Sequence, residues 1–68
     1  MSDFPRRLQQ LRERQQISRR ILSELCGLSK NVITRYERGE RTPSIKEAEV
    51  LADFFGVSLD YLCGRDEK

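Results

Sequence analysis

The chain has 68 residues and a formal net charge of +2, but residues 1–42 carry ten Lys/Arg against five Asp/Glu, and residues 43–68 carry three against six. A domain this small buries only about 60% of the surface its unfolded chain exposes, so nearly every large apolar residue must serve one core. No apolar run approaches the roughly 20 residues of a membrane span; the polar, arginine-rich stretch 1–16 holds no signal-peptide apolar segment; and with no histidine and no CxxC pair, a Cys/His metal site is excluded.

No run alternates apolar and polar residues long enough for a strand, so the expected class is all-α. A first helix is predicted from about Asp3–Pro5 to Gln15, with Leu8 and Leu11 inward and Phe4 capping one end. A second spans Ser18 to Cys26, capped by Ser18, with Leu22 and Leu25 toward the core. Gly27 follows where a left-handed residue is wanted. The third is predicted from a Ser29 cap to about Arg38, with Val32, Ile33 and Tyr36 apolar and Gly39 at its end. Ser44-Ile45-Lys46-Glu47 is a capping box opening a fourth helix. In that helix Ile45, Ala48, Leu51, Ala52 and Phe55 recur at helical spacing, and Gly56 closes it. A short fifth helix runs from Ser58 to about Cys63–Gly64. The whole is one domain over 4–64 with a short tail at 65–68.

The stretch from Ile17 to Gly39 carries the functional signal. Two short amphipathic segments meet at Gly27, and the second opens with Ser29, Lys30 and Asn31. A helix-turn-helix whose second helix enters the DNA major groove end-on needs this arrangement. Lys30, Asn31, Thr34 and Arg35 then lie at the leading end and outward side. Lysine and arginine match guanine O6 and N7, and asparagine matches adenine N6 and N7. Asn31 and Arg35 are the foremost base readers; Lys30 and Thr34 fit bases or phosphate, and Val32 sits partly outside the core, near a thymine methyl. A solvated helix face is the bland reading of the same residues; their place just after the turn argues against it.

The chain resembles the lambda-repressor-like, Cro-type helix-turn-helix domains, the xenobiotic-response-element family. The resemblance rests on Ile17-Ser18, Leu22, Gly27-Leu28-Ser29, Ile33, Tyr36-Glu37-Arg38-Gly39, Pro43, Leu51-Ala52, Phe55-Gly56-Val57-Ser58 and Leu62, and covers about residues 5–64. It implies a compact five-helix domain that binds double-stranded operator DNA, usually as a two-fold homodimer. It also implies backbone phosphate contacts by Ser18, Arg19 and Ser29 at the helix starts and by Arg38 and Arg41 beyond the third helix. Many relatives carry glutamine where this chain has Arg19, so its binding is expected to be more salt-sensitive. The family's small alanine in the second helix is here Ser23, whose hydroxyl needs a partner. The resemblance further places Arg12 against Glu37 as a structural ion pair orienting the third helix.

Phe54, Tyr61 and Leu62, on the acidic C-terminal part, are candidates for a dimer interface; completing the monomer core is the equal alternative. Cys26 and Cys63 read as reduced, half-buried residues of a cytoplasmic protein, bacterial or phage-encoded. The leading function is a sequence-specific transcriptional regulator, a repressor on a pseudopalindromic operator, with no cofactor, metal or membrane partner. The alternative is a protein-interaction module, antitoxin-like or anti-repressor, that reuses the fold; such a module should carry an apolar or acidic third-helix face. An enzyme is disfavoured, since the chain has no histidine, no Gly-rich phosphate loop and no cysteine with an activating base.

Overall fold

The computed structural model describes residues 3–64, so the tail expected at 65–68 lies outside the described residues. Five helices and no strand occur among them: α1 (Phe4–Arg14), α2 (Arg19–Leu25), α3 (Val32–Glu37), α4 (Ile45–Phe55) and α5 (Leu59–Leu62). The ends of these helices follow local chemistry. Pro5 occupies the first turn of α1, where its missing N–H is no loss. Ser18, Ser44 and Ser58 each accept a backbone N–H through the side chain, from Ile21, Glu47 and Tyr61 respectively.

All five helices contribute to one buried cluster, including Phe4 and Leu8 of α1, Leu22 of α2, Ile33 and Tyr36 of α3, Leu51 of α4 and Leu62 of α5. Tyr36 is its largest member, and the Phe4 ring meets it edge-on at 5.5 Å. Phe4 therefore sits inside the core and does not cap it. Such aromatic pairs contribute about 0.5–1.5 kcal/mol beyond their buried area. Ser23 is fully buried, and its hydroxyl donates to the Arg20 carbonyl at 2.8 Å, which supplies the partner it needs.

Several expectations about burial are corrected. Leu25 is 60% exposed although it was expected inside. At about 100° per residue, buried Leu22 and Ser23 centre the inner face of α2 between them, and Leu25 falls roughly 110° away. Ile45, at the first position of α4, is exposed, and Pro43 just before it is buried. Cys63 belongs to the buried set, while Cys26 is half-buried with its thiol pushed up by desolvation; both are free. Leu62 is 0% exposed, so it packs inward and offers nothing to a second copy. Phe54 and Tyr61 are half-buried. Tyr61 ties α5 to α1, because the Arg7 guanidinium lies 4.3 Å from its ring centre and donates to its carbonyl at 2.8 Å.

Candidate nucleic-acid interface

The connection from α2 to α3 is fixed by backbone bonds. Leu28 N–H donates to the Ser23 carbonyl at 2.8 Å and Gly27 N–H to that of Glu24 at 3.2 Å, the paired pattern that ends a helix through a left-handed residue. Gly27 supplies that residue at φ +68°, a conformation that an added Cβ would strain.

From there the chain departs from expectation. The third helix begins at Val32, not at Ser29, and Asn31 takes the cap position without a side-chain cap bond. Lys30 and Asn31 form a turn closed by Val32 N–H on the Ser29 carbonyl at 3.2 Å. The first bond of helical span runs from Arg35 N–H to the Asn31 carbonyl. Ser29 makes no side-chain hydrogen bond among the described residues, so its hydroxyl does not hold the helix start. Lys30 and Asn31 are thus presented by an exposed turn ahead of α3.

That turn borders an open concavity of about 280 Å³ lined by Ser29, Lys30, Asn31, Val32, Arg35 and Arg41. Three cationic side chains and one amide therefore gather around one surface recess. Val32 is only 4% exposed and belongs to its floor, not to a reaching edge, because its side chain is taken up by the core. Thr34 is half-buried and lies outside this lining. Arg38 faces solvent beside Glu40 at 3.8 Å. Ser18 is engaged in capping α2.

Arg12 and Glu37 form a two-pronged pair across a sequence separation of 25. Arg12 Nε donates to Glu37 Oε2 at 2.6 Å and Nη2 to Oε1 at 3.1 Å, with the two side chains 9% and 3% exposed. The third nitrogen, Nη1, donates to the Ile17 carbonyl at 2.9 Å in the turn between α1 and α2. The bond to Glu37 raises the Arg12 pKa against the opposing effect of burial. Arg19 joins the same carboxylate, its Nε donating to Glu37 Oε1 at 2.9 Å. No sequence spacing hints at this second pair, since the partners lie 18 residues apart on different helices.

A second carboxylate, Glu47 of α4, holds α3 through the neighbouring Tyr36. Glu47 Oε1 accepts from the Tyr36 hydroxyl at 2.8 Å and from Ser44 N–H at 2.9 Å. Its Oε2 accepts from Arg41 Nη2 at 3.4 Å. The Ser44 backbone bond, followed by the Tyr36 bond, lowers the Glu47 pKa below its ordinary range. Burial, with the bond to Glu47 adding to it, pushes the Tyr36 hydroxyl up to about 12. The capping box was legible from Ser44 and Glu47; its extension to Tyr36 and Arg41 was not.

Two short helices joined by a tight left-handed turn, a polar and cationic recess at the start of the second, and an enclosing all-α core define a helix-turn-helix domain. The helix-turn-helix family profile matches residues 8–62, and the chain belongs to that family. It is 36% identical over 62 residues to the HTH-type transcriptional regulator AnsR of Bacillus subtilis, covering 91% of this chain and 53% of that protein. It is 29% identical to the HTH-type transcriptional activator BcrR of Enterococcus faecalis, over 96% of this chain and 32% of the relative. The cryptic phage CTXphi transcriptional repressor RstR of Vibrio cholerae is 28% identical, over 94% and 58%. The chain thus spans less than two thirds of the length of each of these relatives. No solved structure matches it. Among the described residues, no helix is long and apolar enough to cross a membrane.

Proposed function

We propose that this domain binds double-stranded DNA sequence-specifically as the reading part of a transcriptional regulator. The observation that carries the reading is the recess at the start of α3, where Lys30, Asn31, Arg35 and Arg41 gather beside the α2–α3 turn. In the proposed complex Asn31 and Arg35 read base edges, each bidentate contact contributing about 1–3 kcal/mol of discrimination. Lys30 and Arg41 flank them, and Arg19, Arg38, Ser18 and Ser29 meet the backbone. Thr34, half-buried, has the smallest share. The names of the relatives, transcriptional regulators that include a repressor and an activator, support a regulatory role. Repression is the simpler mode, since occupying an operator needs no further contact surface. The proposed assembly is a homodimer on a two-fold operator, with Phe54 and Tyr61 as the residues offered to its interface. The compartment of the DNA, the cytoplasm, is its place of action. The cationic character of the recess speaks against a protein-interaction module.

Selection from a pool of random duplexes tests this reading. Enrichment of a motif with two half-sites centred about 34–36 Å apart is the expected outcome. In the selected site, Arg35→Ala should relax the preference at one base position without abolishing binding. A pool that stays random after repeated selection would overturn the DNA reading in favour of the interaction module.

A further inference from the structure

The Glu37 carboxylate accepts three N–H bonds from two arginines, and the two are not equivalent. Arg12 is 9% exposed and has committed every nitrogen, two kinds to Glu37 and one to the Ile17 carbonyl. Arg19 is 48% exposed and has committed only Nε. Its terminal nitrogens make no other hydrogen bond among the described residues. The Glu13 carboxylate, 58% exposed, lies 3.9 Å from Arg12 Nη2, so the second carboxylate of the cluster also faces Arg12 and not Arg19. The uncommitted donors of the cluster are the terminal nitrogens of the half-exposed Arg19.

We infer that Glu37 is a positioning residue for the DNA backbone: it grips Arg19 by the Nε edge and leaves the terminal N–H groups aimed outward for one phosphate. A guanidinium is planar and presents its donors in a fixed fork, so one edge engages a carboxylate while the other engages a phosphate. The carboxylate is itself immobile, being held from the inner side by Arg12. Arg19 is therefore ordered before DNA arrives. The neighbouring Arg20 gives the contrast: it is 70% exposed, and its partner Glu24 lies 3.9 Å away and is 64% exposed. Nothing fixed holds Arg20, and it contributes charge without direction. The inference rests on the DNA-binding reading and adds to it a division of labour: Arg12 and Glu37 build the mount, and Arg19 is the mounted donor.

The test uses the duplex recovered by selection, with affinity measured across a series of salt concentrations. Arg19→Gln should weaken binding about tenfold and flatten the log–log salt slope by about one, as expected for one lost phosphate contact. Arg19→Lys keeps the charge but not the fork, and it should lose about as much as Arg19→Gln. Arg20→Lys should match the wild-type chain. Glu37→Gln should weaken binding in the wild-type background and have no additional effect on binding when combined with Arg19→Gln, measured on protein shown to be folded by its thermal transition. If Glu37→Gln does not fold, the two Arg19 variants decide alone. Arg19→Lys at wild-type affinity and slope would mean that charge without positioning suffices, and would overturn the proposal. Wild-type affinity in Arg19→Gln would overturn it as well. A wild-type chain that recovers no duplex would remove the DNA reading itself, and this proposal with it.

Discussion

Helix α3 is anchored through two carboxylates, its own Glu37 and Glu47 of α4, and they work by different physics. Glu37 is 3% exposed and depends on a fixed partner from α1, so its contribution comes from neutralising a charge inside the fold. Glu47 is 27% exposed and belongs to a chain of ordinary local bonds: a helix cap, a tyrosine hydroxyl and one surface arginine. The first arrangement is intolerant, because a buried carboxylate that loses its buried partner keeps only a half-exposed one. The second degrades gracefully, because each bond is modest and water replaces it in part.

The largest effect should separate these two regimes. Arg12→Ala leaves the Glu37 carboxylate with only the half-exposed Arg19, and should cost about 3–5 kcal/mol in urea unfolding. A loss no greater than that of a helix-cap variant would show that Glu37 is solvated in practice. On the other side, Glu47→Ala removes a capping-box member and the Tyr36 partner, and about 2 kcal/mol is the expected cost. Equal losses from the two substitutions would erase the contrast.

The smallest effects are in pH dependence, and both belong to the Glu47 side. Glu47 is held below its ordinary pKa of 4.5, so its contribution is fully present above that value and is lost as pH falls through the depressed one. Tyr36 is held above its ordinary 10.0, at about 12, so its contribution is present below 10.0 and is lost as pH rises through about 12. Thermal melts along both limbs check this. Tyr36→Phe should remove the tyrosine's share of the alkaline loss; an unchanged alkaline limb would assign it to other groups.

What was legible in the sequence was local. Ser18, Ser44 and Ser58 announced their helices because a cap acts within three residues, and the Ser44–Glu47 box appeared as written. Ser29 carries the same signal, yet the chain there folds into a turn through Lys30 and Asn31 before helix begins, since its hydroxyl finds no donor. Leu25 shows the limit of periodicity in a short helix, whereas Leu62, open in the sequence between the core and a dimer interface, packs inward. With seven and four residues, α2 and α5 offer too few turns for the apolar spacing to fix which leucine points inward. The recess itself needed Arg41 to fold back beside Lys30 and Arg35, a non-local event that no spacing encodes. Glu37 was legible as a partner for Arg12 only through resemblance, and its second bond to Arg19 was not legible at all.

The brevity of α3 has a consequence for where its stability comes from. Six residues are far short of the roughly 12–15 that an isolated helix needs to persist in water. Helix α3 therefore depends on the assembled domain, and a peptide of that segment is expected to be a coil. Arg12 joins α1, the following turn and α3 through one side chain, so α3 draws stability from a contact 25 residues away. Under the proposed DNA reading, recognition by α3 would then appear with global folding and vanish with it.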